Sequence, residues 1–141
     1  MLATADILIL LRGWRLLRPL NMAEGTPGKG VVHVTNAAGG RLTVINVMAN
    51  LFMAPNDPVF PALDGALVRA KLGRDADFIL VDAHGEATSE KMALGHLADG
   101  RASMLVGTHT HYSKDEAAQL TCDDCATLGL QWTMTSMHRP H

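Results

Sequence analysis

Two runs of unbroken apolar residues stand out along the chain, Phe78–Val81 (FILV) and the MLV within Ser103–Val106. Runs of this length, bounded by polar residues and glycine, predict strands buried on both faces. Between them Thr88–Ala98 predicts a helix, with Thr88 or Ser89 able to cap it, Glu90 in its first turn and Gly100 to end it. Upstream, Ala62–Leu72 places Leu63, Ala66, Leu67 and Ala70 at helical spacing, and Gly73 is positioned as a C-cap. Earlier still, Val31–Thr35 (VVHVT) and Arg41–Met48 (RLTVINVM) flank the turn Asn36–Gly40, which predicts a β-hairpin. Asn21–Gly30 and the three-proline stretch Met53–Pro61 predict loops. Strand, helix, strand, helix, strand is the α/β pattern, and it predicts that the two buried strands pair in parallel.

The composition narrows the class. A chain of 141 residues with 48% hydrophobic and 18% charged residues fits one globular domain. A formal net charge of −2 argues against nucleic acid and anionic lipid as partners. Arg12, Arg15 and Arg18 cluster, but Trp14, Leu16 and Leu17 interleave them, which fits an amphipathic segment better than a phosphate-backbone site. The run Ile7–Leu11 is too short to span a bilayer and lies between Asp6 and Arg12, so neither a membrane anchor nor a signal peptide is expected, and the expected location is cytoplasmic. Two cysteines, Cys122 and Cys125, suggest no disulfide framework. Beyond Tyr112 the sequence shows no period of either kind.

The chemistry gathers where the buried strands end. FILV runs into Asp82, Ala83 and His84, and MLV runs into Gly107, Thr108, His109, Thr110 and His111. Ligands of open α/β sheets bind at the carboxyl ends of the strands. Adjacent parallel strands would therefore deliver His84, His109 and His111 to one sheet edge, three imidazoles suited to manganese, iron or zinc. In an extended strand His109 and His111 would share a face. Asp82 is the expected acceptor that orients His84 from behind. His33, His96, His138 and His141 call for no such role, since an isolated histidine is usually a surface or satisfied core residue.

The stretch DFILVDAHGEATSEKMALGHLADGRASMLVGTHTH, Asp77 to His111, resembles the signature of a bacterial family of calcineurin-like metallophosphoesterases, which reads D-x-H-A-E-A-T-S-E-K, then a helix, D-G-R and G-T-H-T-H. The resemblance extends upstream through LLRPLNMAEGTPGKG (Leu16–Gly30) and VINVMANLFMAP (Val44–Pro55). It implies the C-terminal half of such an enzyme, a partial calcineurin-like sandwich, acting on small phosphate esters or cyclic nucleotides with two metal ions. By the same resemblance His84 and His109 match ligands of one metal and His111 a ligand of the other. Glu86, Ser89, Glu90 and Lys91 lie within the signature and receive no role beyond helix capping for Ser89 and Glu90.

The chain departs from that family in two places. The family's Asp-bearing strand, Glu-Asn pair and Gly-Asn-His motif, which supply bridging carboxylate, further ligands and general acid, have no counterpart in Met1–Arg15. After His111 its closing hairpin pattern is also missing. The sequence therefore predicts a partial metallophosphoesterase domain over 1–111 and a divergent tail over 112–141, with one metal ion held instead of two and little or no turnover. An open sheet edge would favour a homo-oligomer. The rival expectation is a non-catalytic zinc module in which His109, His111, Cys122 and Cys125 form H-x-H-x10-C-x2-C.

Overall fold

The computed structural model describes residues 16–53, 55–109 and 131–133. Among the described residues the elements follow in the order β1 (Val31–Thr35), β2 (Arg41–Met48), α1 (Val59–Arg69), β3 (Phe78–Gly85), α2 (Thr88–Ala98), β4 (Met104–His109) and β5 (Gln131–Thr133). The strands form one sheet in the order β1-β2-β3-β4-β5. β1 and β2 are the antiparallel hairpin, β2, β3 and β4 run parallel, and β5 closes antiparallel on β4. Val81 lies opposite Leu105, so the two apolar runs are neighbours as their burial demands.

Alternation sorts each central strand into two faces. Ile45, Val47, Ile79, Val81, Ala83 and Leu105 are fully buried against Val59, Leu63, Ala66 and Leu67 of α1 and Leu94 and Ala98 of α2. Each large aliphatic side chain among them contributes about 1.5–3 kcal/mol by leaving water. The opposite face carries the polar positions of the same strands, Asn46, Asp82, His84 and Thr108. Two close approaches need glycine. A Cβ on Gly30 would stand 2.3 Å from the Cα of Leu20, and one on Gly85 would stand 2.3 Å from the Cβ of Ala49.

The helices correct three expectations. α1 starts at Val59 instead of Ala62, taking in residues assigned to the proline loop. Pro58 is its N-cap and Pro61 lies in its first turn, where the missing N–H would have no helical partner anyway. It stops at Arg69, and Ala70 instead of Gly73 is its C-cap. α2 matches its expected span, but its N-cap is Ala87 and neither Thr88 nor Ser89 caps it by a side-chain bond. β3 continues past Val81 through Asp82 and His84, so that histidine stands inside the strand.

Candidate functional site

At the carboxyl ends of β3 and β4, a row of side chains is joined by hydrogen bonds. The Asn46 amide donates to Asp82 Oδ2 at 2.8 Å, and the Thr108 hydroxyl donates to Asp82 Oδ1 at 3.2 Å. With its proton directed to the carboxylate, Thr108 Oγ1 accepts from His84 Nδ1 at 3.0 Å. This polarity leaves His84 Nε2 as a bare lone pair. That atom faces His109 Nδ1 at 3.1 Å, and His109 Nε2 in turn meets Glu86 Oε2 at 2.9 Å. The rings meet edge to face, with centroids 4.8 Å apart.

Register alone does not bring the two imidazoles together. Gly85 is the partner of His109 across the β3–β4 pair, and alternation would send the His109 ring to the helix-covered side with Leu105 and Gly107. His109 has φ +87° instead, a left-handed conformation that a side chain other than glycine adopts rarely. The turn swings its ring back onto His84. His109 thus departs from extended geometry at the end of β4, and the expected pairing of His109 with His111 lies outside the described residues. Strain of about 1–3 kcal/mol at such a position has to be held by its surroundings. Lys91, only 1% exposed, reaches from α2 to the Thr108 carbonyl at 3.4 Å and secures the peptide just before the strained residue.

The electrostatics follow from this burial. Desolvation lowers the His84 pKa below its ordinary value, with the neighbouring His109 and then Lys91 pushing the same way and Asp82 opposing them. A neutral His84 keeps Nε2 available as a ligand. Burial also lowers the Lys91 pKa, against the pull of Glu86.

Does a metal ion suit these residues? Two nitrogens each about 2.1 Å from one ion stand about 3.0–3.4 Å apart, for right-angled to tetrahedral coordination. The observed 3.1 Å lies in that window. With His84 Nε2 bare and Glu86 drawing on the far nitrogen of His109, the space between the rings calls for one cation, a shared proton or a metal. The donor set fits a divalent ion with two protein ligands and open positions. Among the described residues no group of three or more His, Cys, Asp or Glu side chains converges. His111, Cys122 and Cys125, the remaining expected ligands, lie outside the described residues. The hydrogen-bonded link from Asp82 to His84 runs through Thr108, and not by the direct contact that its spacing suggested.

Sequence reasoning passed over Asn46, Thr108, Lys91 and Glu90. One signal was available: Lys91, Leu94 and Ala98 fall on one helical stripe, so a charged residue shares the face of two core residues. Glu90, expected to cap its own helix, instead accepts hydrogen bonds from the backbone N–H groups of Asn50 and Leu51, both at 2.9 Å.

A sequence profile for the family described as YmdB-like protein matches residues 3–125. The chain belongs to this family. Over 96 residues it is 49% identical to the 2′,3′-cyclic-nucleotide 2′-phosphodiesterase of Bacillus subtilis (strain 168), covering 68% of this chain and 35% of that relative. Among solved structures, a hypothetical protein from Thermus thermophilus superposes with a TM-score of 0.68 at 46% identity, covering 79% of this chain and 42% of the other. A phosphatase from Mycoplasma pneumoniae superposes with a TM-score of 0.66 at 28% identity, covering 77% and 39%. The chain thus spans about a third to two-fifths of the length of these relatives. The α/β fold is shared with a phosphatase. No described helix is long and apolar enough to cross a membrane.

Proposed function

We propose that the chain carries part of the site of a metal-dependent phosphodiesterase of the calcineurin-like type, taking small phosphate esters or cyclic nucleotides. The observation that carries this reading is the pair of facing nitrogens, His84 Nε2 and His109 Nδ1, at the separation of two ligands on one ion. The name of the Bacillus subtilis relative supports the substrate class. His84 and His109 would hold the ion, with His111 as a further candidate ligand. Manganese, iron or zinc bound there would polarise a phosphoryl oxygen and lower the pKa of a bound water. The chain's own contribution is orientation: Asn46, Asp82 and Thr108 fix the ring and tautomer of His84, and Glu86 holds the far nitrogen of His109. Outer partners of this kind are worth about 10–100-fold in metal affinity.

Turnover by the 141-residue chain is expected to be low. A phosphoryl transition state needs positioned metals that neutralise its charge, and among the described residues no carboxylate bridges the two imidazoles, which by themselves hold a second ion poorly. Calorimetric titration with manganese should show about one equivalent bound per chain, weakened by His84→Ala or His109→Ala and not by His96→Ala. Hydrolysis of a chromogenic phosphodiester should remain near background. Metal content independent of both histidines would refute the site. Loss of metal in the Cys122→Ser/Cys125→Ser double variant would favour the zinc module instead.

A further inference from the structure

The loop that follows β2 is braced more heavily than a connection requires. The N–H groups of Asn50 and Leu51 are gripped by the buried Glu90 carboxylate at 2.9 Å each. The Asn50 side chain spans the loop from inside, donating to the carbonyls of Asn56 and Asp57 at 3.3 and 3.2 Å and accepting from the Val59 N–H at 2.8 Å. The tip of this rigid frame is apolar and turned to water. Leu51 is 49% exposed and Phe52 86% exposed, and Phe52 has φ +61°. An aromatic residue in the left-handed region is uncommon, and strain of this kind persists where the surroundings enforce it, most often at functional sites. A large apolar side chain left in solvent adds nothing to the core.

The position of the loop points to its use. Met48 lies opposite His84 in the β2–β3 register, and the Ala49 N–H donates to the His84 carbonyl at 2.8 Å. Phe52 is three residues further on, a span of at most about 11 Å. The aromatic residue therefore belongs to the loop at the carboxyl end of β2, the same end of the sheet as the His84–His109 pair. We propose that Phe52, backed by Leu51, is a stacking platform for the base of a nucleotide whose phosphate lies at His84 and His109. The inference rests on the phosphodiesterase reading above and names the part of the substrate that this loop recognises. A bare aromatic face accepts any base through its π-face, so recognition tolerates base identity and favours the larger purines.

Phe52 is exposed, so its removal leaves the fold intact and the test can be read as binding. The manganese-loaded full chain is titrated by calorimetry with 2′,3′-cyclic AMP, with 2′,3′-cyclic CMP and with ethylene phosphate, a cyclic phosphodiester that has no base. Phe52→Ala should weaken cyclic AMP binding about tenfold and leave ethylene phosphate unchanged, while Phe52→Trp retains the wild-type affinity. The purine preference should vanish in the alanine variant. His84→Ala should weaken all three probes. If all probes bind through His84 and Phe52→Ala changes none of them, the stacking proposal is wrong and the phosphodiesterase reading stands. If no probe binds the wild-type chain, both fall. If Phe52→Ala changes only the sedimentation of the chain, the ring is a contact between copies and the proposal is overturned.

Discussion

Three residues at the site end of the sheet show how much single positions decide. His109 reaches His84 because one φ angle is +87° and not because of strand alternation. Thr108 converts the charge of Asp82 into a defined tautomer of His84. Gly85, between His84 and Glu86, is required by a neighbour: a Cβ there would overlap the Cβ of Ala49 at 2.3 Å. The resembled signature carries alanine at this position, so the glycine here is matched to Ala49. Gly85→Ala should destabilise the chain by about 1–3 kcal/mol in urea unfolding, the range for overpacking a filled site. Ala49→Gly should restore most of that loss in the double variant, because the two changes share one contact. Strictly additive effects in the cycle would show that the clash relaxes elsewhere.

At the level of elements, α2 does more than cover the sheet. Glu90 in its first turn anchors the β2–α1 connection, and Lys91 anchors the end of β4, so one helical turn fixes both loops that flank His84. Glu90→Gln keeps one acceptor and turns an NH2 group toward the second N–H. It should cost about 2 kcal/mol, the scale for losing a hydrogen bond to a charged partner. Amide exchange should speed up at Asn50 and Leu51 before it does in β3. Exchange unchanged at those two amides would mean that the loop holds without the carboxylate. The same helix marks what the sequence made legible. Its span, the hairpin strands and the parallel pairing of FILV with MLV are all written in periodicity, since burial imposes the pattern directly. The start of α1 was hidden because proline reads as a breaker, although it is tolerated where helical N–H groups have no partner. The roles of Glu90 and Lys91 were hidden for a related reason. Charge reads as surface, and only the tertiary structure shows that both carry out backbone anchoring inside it. At the site, the placement of His84 and His109 at one sheet edge was legible from the matching strand ends, whereas their ring contact depends on the positive φ of His109 and the link through Thr108 on a cross-strand register, neither of which periodicity encodes.

Across the whole molecule the two ends of the sheet are specialised. The end with His84 and His109 holds strained backbone and a hydrogen-bonded row of imidazoles, while the opposite end is tied by arginine–aspartate ion pairs. There Arg41 grips Asp77 through two guanidinium contacts at 2.7 and 3.2 Å, its backbone N–H adds a third at 2.8 Å, and its remaining amino group reaches the Arg74 carbonyl at 2.7 Å. Arg74 in turn pairs with Asp75 at 2.8 Å. These bonds join the starts of β2 and β3 to the turn that follows α1. Arg41 holds the Asp77 carboxyl down to about 2 from its ordinary 3.8, chiefly through the side-chain hydrogen bond, and Arg74 does the same for Asp75. The sign follows from proton linkage. Between pH 3.8 and about 2 the unfolded chain binds protons that the folded chain refuses, so stability from these pairs is complete above 3.8 and drains away as the pH falls toward 2. Because the pairs are exposed, salt should shrink the effect. Asp77→Asn should therefore flatten the loss of stability across this window, measured by urea midpoints from about pH 4.5 to 2, with manganese affinity at neutral pH unchanged at the far end of the sheet. A wild-type acid profile that the substitution leaves untouched would place the acid-sensitive carboxylates elsewhere. Altered metal binding would show that the two ends are coupled through β3.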